Sequence, residues 1–145
     1  MVDIEIAAKF LEKERLSLVI VKDGSILFTS NEKGIKPLYI ALEELKSELE
    51  GSSVADRVTG KAASMLCVHA KIKQLKTKLI SDNAVNILKD TNIIYEYDER
   101  TPFIKNRDKT GMCPVETISH EVNNIDELLK GISEFLEKIQ KSSER

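Results

Sequence analysis

The stretch LSLVIVKDGSILFTS, residues 16–30, decides the fold class of this chain. Two runs rich in aliphatic and β-branched residues flank Asp23-Gly24, a dipeptide typical of a two-residue hairpin turn. The stretch therefore predicts a β-hairpin. The elements predicted around it run α, β, β, α, α, β, α, β, then a loop and two helices. This order favours an α/β protein whose mixed sheet carries helices on both faces.

Helical spacing of apolar residues predicts three helices near the hairpin. Asp3 is placed to cap the first, which reaches Leu11. Pro37 suits the first position of the second, whose leucine face ends at Leu49. Residues 54–70 are mostly apolar over their whole length and predict one long, buried helix.

Extended patterns dominate the next part of the chain. Residues 72–80 predict a strand with lysines on its wet face, and residues 93–97 predict another. Between them Ser81 is expected to cap a short helix. Residues 101–104 are expected to be extended and are a candidate for one more strand.

A length of 145 residues predicts a single domain over residues 1–145. Its core is expected at about residues 5–122, followed by an amphipathic helix at about residues 124–142 that starts with the capping pair Asn124 and Glu127. We expect most of the apolar side of this helix to pack on its own domain, with a homodimer as the alternative.

Composition limits the functional classes. Apolar residues make up 41% and charged residues 32% of the chain, and the net charge is −2, which argues against a broad nucleic-acid-binding face. The N-terminus resembles no secretory signal, no apolar run approaches the ~18 residues of a membrane span, and two cysteines give no disulfide framework. These features predict a cytoplasmic protein without membrane association.

Asp56, Gly60 and Lys61 form the first group of candidate site residues. In the predicted long helix, Asp56 falls in the first turn and Gly60 lies on the same side one turn later. One interpretation is a pocket floor, with Asp56 as acid/base and Lys61 as an anion contact. The other is an ordinary first-turn acid, a packing glycine and a solvated lysine.

A second group follows at residues 106–116. Pro114 and Glu116 fit the start of a helix that Cys113 would cap, and a thiol at a helix N-terminus can be a nucleophile because its pKa is lowered. The alternative is a small residue that completes a turn. Just upstream, Arg107 is a candidate phosphate or carboxylate contact, and Asp108 is its neighbour in a polar loop.

Metal binding is not indicated by the spacing of potential ligands. His69 and His120 stand alone, and the chain contains no Cys-x2-Cys or His-x-Glu pattern. We therefore predict no metal and no cofactor.

Four segments together resemble one family, the small prokaryotic family known as domain of unknown function 1893, which is assigned to the cytidine-deaminase-like fold. The resemblance spans roughly residues 5–122. The segments are LVIVKD (18–23), VADRVTGKAA (54–63), ISD (80–82) and NRDKTGMCPVE (106–116). The resemblance implies a three-layer α-β-α domain.

The resemblance also implies where a zinc site would lie. In zinc deaminases of that fold, the helix after the hairpin begins with His/Cys-x-Glu and the helix after the third strand with Pro-Cys-x-x-Cys. By position we expect these motifs near residues 55–57 and 80–84, and neither is present. A hydrolytic zinc site needs three protein ligands and a proton-shuttling Glu, so zinc-dependent deamination is not expected.

Three functional hypotheses follow. In the first, a metal-free pocket binds a small polar ligand of the nucleobase or nucleotide class, surrounded by seven residues: Asp56, Lys61, Ser81, Arg107, Asp108, Cys113 and Glu116. In the second, Cys113 is the nucleophile of an enzyme in which Asp56 or Glu116 handles protons. In the third, the chain is a non-catalytic interaction protein.

Overall fold

The computed structural model describes residues 2–104 and 124–143, with side chains up to residue 139. The elements are α1 (Asp3–Lys13), β1 (Leu18–Lys22), β2 (Ser25–Ser30), α2 (Lys36–Leu45), a 3-10 helix (Lys46–Leu49), β3 (Ser53–Thr59), α3 (Lys61–Ala70), β4 (Gln74–Ser81), α4 (Asp82–Leu88), β5 (Ile94–Thr101) and α5 (Ile125–Ser143).

The five strands form one mixed sheet in the order β2-β1-β3-β4-β5. β1 is antiparallel to both β2 and β3, whereas β3, β4 and β5 are parallel to each other. Asp23 and Gly24 join β1 to β2 with φ values of 51° and 80°, the positive pair that a type I′ turn requires. The predicted hairpin and mixed α/β sheet are thereby confirmed.

Both faces of the sheet are covered. Residues alternate along β1, so that Leu18 and Ile20 point to one face and Val19 and Val21 to the other. The first face carries the larger core cluster, to which α2, α3, α4 and α5 contribute. In the described part of the chain, the second face carries a small cluster under α1.

The C-terminal helix packs on its own domain. Leu128 and Ile132 of α5 are fully buried in the larger cluster. At its start Asn124 Oδ1 accepts a hydrogen bond from the Glu127 backbone N–H at 2.9 Å, which confirms the predicted cap. No helix among the described residues has the length and apolar character to cross a membrane.

The prediction of one helix over residues 54–70 is wrong. The segment divides at Gly60 into strand β3 and helix α3. Val54 of β3 is buried in the larger cluster and Ala55 in the smaller one, so this strand is apolar on both faces. A short strand buried on both faces gives the same apolar run as a buried helix, which explains the error.

Downstream predictions largely agree with the structure. β4 matches the strand predicted at residues 72–80, and Ser81 Oγ accepts a hydrogen bond from the Ala84 N–H at 3.1 Å, which confirms the cap of α4. β5 is longer than predicted and ends at Thr101. Residues 102–104 lie outside any strand, so the additional strand is wrong. The predicted loop at 106–112 and the helix at Cys113 lie outside the described residues.

Candidate ligand-binding site

A cavity of about 390 Å³ opens at the carboxyl end of β3. Its wall combines the start of β1, the loop before α2, the first turns of α2 and α3, and the end of β3. The lining residues are Ser17, Leu18, Lys33, Gly34, Ile35, Pro37, Leu38, Asp56, Arg57, Val58, Gly60, Ala62, Ala63 and Ile104. Most of this wall is aliphatic. The volume of the cavity is in the range of small-molecule binding sites.

Small residues at the start of α3 leave this space open. Gly60 is the N-cap of α3, with an extended backbone (φ −98°, ψ −170°), and its position carries no side chain beside the first turn. Ala62 and Ala63 follow inside that turn. The prediction that Gly60 sits inside a helix is wrong, although its neighbours do line a cavity.

Asp56 lies in β3 at the cavity wall, and not in the first turn of a helix as predicted. Its Oδ1 accepts a hydrogen bond from the Arg57 N–H at 2.7 Å. Burial raises the pKa of the Asp56 carboxyl to about 7, and the backbone N–H groups of Arg57 and Val58 and the Arg57 charge offset this only in part. Near pH 7 the group can therefore either accept or donate a proton.

Arg57 follows in sequence, and its guanidinium contacts α1 and the loop after it. Nε donates to the Leu16 carbonyl at 2.6 Å and Nη2 donates to the Leu11 carbonyl at 3.2 Å. These bonds hold the segment before β1, which continues into the cavity wall at Ser17 and Leu18. Sequence reasoning missed Arg57 and the aliphatic walls of the cavity, since nothing local marks them.

Two further candidates have different surroundings. Lys61 is the first residue of α3, between the lining residues Gly60 and Ala62. Ser81 is fully buried at the end of β4, where its hydroxyl caps α4. Neither Lys61 nor Ser81 is among the residues that line the cavity, whereas Asp56 is.

The remaining candidates, Arg107, Asp108, Cys113 and Glu116, lie outside the described residues. Ile104, the last residue described before them, is part of the cavity wall.

Metal ligands and reactive thiols can be assessed for the described part of the chain. Residues 2–104 and 124–143 contain no group of three His, Cys, Asp or Glu side chains arranged to hold a metal ion. Cys67 of α3 is buried, and burial together with the nearby Asp56 charge raises the pKa of its thiol far above the ordinary value. A buried thiol of this kind is chemically inert.

Comparison with known proteins identifies relatives. Residues 6–136 match the family described as Domain of unknown function (DUF1893), a match that includes most of α5. The fold is similar to the crystal structure of a DUF1893 family protein from Thermotoga maritima, with a TM-score of 0.83 and 30% sequence identity over 91% of this chain and 88% of that chain. No curated protein matches the sequence. The chain belongs to the DUF1893 family.

Proposed function

We propose that this protein binds a small molecule of the nucleobase or nucleotide class, without a metal, in the cavity at the carboxyl end of β3. The observation that carries the proposal is Asp56, an acid with a pKa of about 7 at the wall of a mostly aliphatic cavity. A perturbed acid in an apolar pocket is the combination expected of a binding or catalytic site.

The chemistry of the wall favours a flat heterocycle. Leu18, Leu38 and Ala63 offer apolar surface to the faces of a ring. Asp56 offers one polar group to the edge of the ring. At that edge a nucleobase presents N–H donors beside ring nitrogen acceptors. The backbone bonds from Arg57 and Val58 fix the carboxyl before the ligand arrives, which reduces the entropy lost on binding.

We further propose that the fold is cytidine-deaminase-like and that the cavity occupies the position of the deaminase site. The helices that follow the hairpin and the third strand are α2 and α3, so the positions near residues 55–57 and 80–84 that we expected for the zinc motifs are wrong. The first turns at residues 36–39 and 61–64 contain no His, Cys or Glu. The cavity lies between these two turns, which supports a retained pocket without zinc ligands.

A thermal-shift screen tests the proposed function. The full chain is heated with bases, nucleosides, nucleotides and divalent metals at pH 7. A ligand at about 100 times its Kd stabilises the native state by about 2.7 kcal/mol, which raises the Tm by several degrees. We expect a hit from the nucleobase or nucleotide class whose shift is lost in Asp56→Asn and retained in Asp90→Asn, an exposed aspartate after α4.

A second variant tests the cavity itself. Val58 is 43% exposed and lines the cavity, so Val58→Phe reduces the open space without a large change in the core. We expect this variant to weaken the shift. A hit unaffected by both Asp56→Asn and Val58→Phe would place the ligand elsewhere, and stabilisation by zinc would contradict the metal-free site. A screen without hits would favour the interaction-protein hypothesis.

A further inference from the structure

A second cavity, a groove of about 540 Å³, lies between α1 and the strands β3, β4 and β5. It is on the same face of the sheet as α1. Lys9 and Lys13 of α1 are four residues apart, and Lys76 and Lys78 of β4 are two apart, so each pair points to one side of its element. We call this cavity the lysine groove.

The carboxylates of the lysine groove are already engaged. Glu12 Oε1 lies 2.5 Å from Lys78 Nζ and 3.6 Å from Arg57 Nη1. Asp98 Oδ2 lies 3.8 Å from the same Lys78 Nζ. Two acids and two cations therefore largely neutralise each other at one end of the groove. Asp56 also borders the groove, but its side chain alternates with that of Ala55 and points to the opposite face of the sheet, toward the first cavity.

Three cations are left over. Lys9, Lys13 and Lys76 make no ion pair within 4 Å to any carboxylate in the part of the chain that the structure describes. Lys76 is half-buried, and its neighbours in register are Ala55 of β3 and the exposed Glu96 of β5. A lysine ammonium that makes no ion pair can contact an incoming anion without first breaking one.

We propose that the lysine groove binds a small molecule through a multiply charged phosphate group. Ammonium groups on two opposite walls can contact different oxygens of one polyvalent anion, and Lys is a common point-charge partner of phosphate. Ala8, Leu11 and Ala55 supply apolar floor for an uncharged part of the ligand. The attraction is local, since the whole chain carries a net charge of −2.

Isothermal titration of the full chain with sodium tripolyphosphate, at low and at physiological salt, tests this proposal. We compare wild type, Lys9→Gln/Lys76→Gln and the matched control Lys130→Gln/Lys138→Gln, which removes the same charge from exposed positions of α5. Removing two charge-assisted contacts is expected to weaken binding by about tenfold or more. The control is expected to bind as the wild type does, and circular dichroism melts check that each variant is folded.

Three outcomes overturn the proposal. The first is an absence of saturable binding, and the second is an equal loss of affinity in the control, which would reveal a general charge effect. A short oligothymidylate distinguishes the source of the phosphate. If the oligothymidylate binds more weakly than tripolyphosphate, the groove is supported as a small-molecule site. The third overturning outcome is tighter binding of the oligothymidylate through the same lysines, which would contradict the assignment to a small molecule. The test does not depend on the ligand of the first cavity.

Discussion

Thr59 Oγ1 donates a hydrogen bond to Thr77 Oγ1 at 3.0 Å, and this bond joins the neighbouring strands β3 and β4 between buried side chains. The Thr77 hydroxyl in turn donates to the Leu79 carbonyl at 3.3 Å. The two threonines are therefore not equivalent. Loss of Thr77 removes the acceptor of a buried hydroxyl, whereas loss of Thr59 leaves the Thr77 donor satisfied.

This asymmetry predicts unequal effects on stability. Thr77→Val should lower the free energy of unfolding by about 1–3 kcal/mol, the cost of an unpaired buried hydroxyl, and Thr59→Val by about 1 kcal/mol or less. The double variant should lose less than the sum of the single losses, because the two groups interact. Urea denaturation of the four proteins measures these differences. Additive losses of equal size would show that the hydroxyls do not act as a pair.

The pKa of Asp56 predicts a pH-dependent stability. Because its folded pKa of about 7 lies above the ordinary value of 3.8, the folded state binds more protons between these pH values. The contribution of this group is therefore complete below about pH 4 and is lost as the pH rises through 7, a change of about 2–4 kcal/mol. Urea denaturation between pH 4 and 8 measures it.

Asp56→Asn is the matched variant for this effect. It should remove most of the pH dependence and be more stable than the wild type at pH 8, since a neutral amide has no charge to desolvate. Asp90→Asn should follow the wild-type curve. Parallel curves for wild type and Asp56→Asn would show that Asp56 titrates as an ordinary aspartate.

Asp3 connects the first helix to the hairpin turn. Its two carboxylate oxygens accept hydrogen bonds from the Asp23 and Gly24 N–H groups, each at 2.9 Å. Asp3→Ala should cost about 1–2 kcal/mol, and Asp3→Asn about half as much because one acceptor remains. Glu5→Ala, in the same first turn, is the control. An equal loss in the control, measured by urea denaturation, would assign the effect to the helix start and not to the turn.

The two cysteines are predicted to differ in reactivity. Cys67 should resist iodoacetamide in the folded protein and react only in denaturant, because its thiol is buried and has a raised pKa. The cysteine-enzyme hypothesis predicts the opposite for Cys113, which it places at the start of a helix. Peptide mapping by mass spectrometry separates the two sites. Rapid labelling of Cys67 in the folded state would contradict its burial, and slow labelling of Cys113 would argue against the cysteine-enzyme hypothesis.

Local signals explain which predictions from the sequence succeeded. Asp23-Gly24 and Ser81 were predicted correctly because a turn dipeptide and a capping serine act within a few residues. The structure of residues 54–70 was predicted incorrectly, because apolar periodicity cannot distinguish a short strand buried on both faces from a buried helix. Gly60 lies at the true boundary between β3 and α3, where it is the N-cap in an extended conformation. In the sequence the same residue was interpreted as a packing glycine inside one long helix.

The candidate site was predicted less completely than the fold. Asp56 was identified as a candidate and lies at the cavity wall, but desolvation in a strand, and not a helix dipole, sets its protonation. The opposite walls, Leu18 and Pro37, come from elements far away in the chain. No local pattern in their own segments shows that such residues meet. Leu18, for example, lies beside Asp56 only because β1 pairs with β3.

The unequal division of the core has a consequence for local opening. Within residues 2–104 and 124–143, α1 covers a small cluster on one side of the sheet, which comprises Ala7, Leu11, Val19, Val21 and Ala55. The opposite side contains the larger cluster and four helices. Detaching α1 exposes little apolar surface, so its amides are expected to exchange with solvent hydrogen through a partial unfolding reaction. Amides of β3 and β4 would exchange only when the whole domain unfolds.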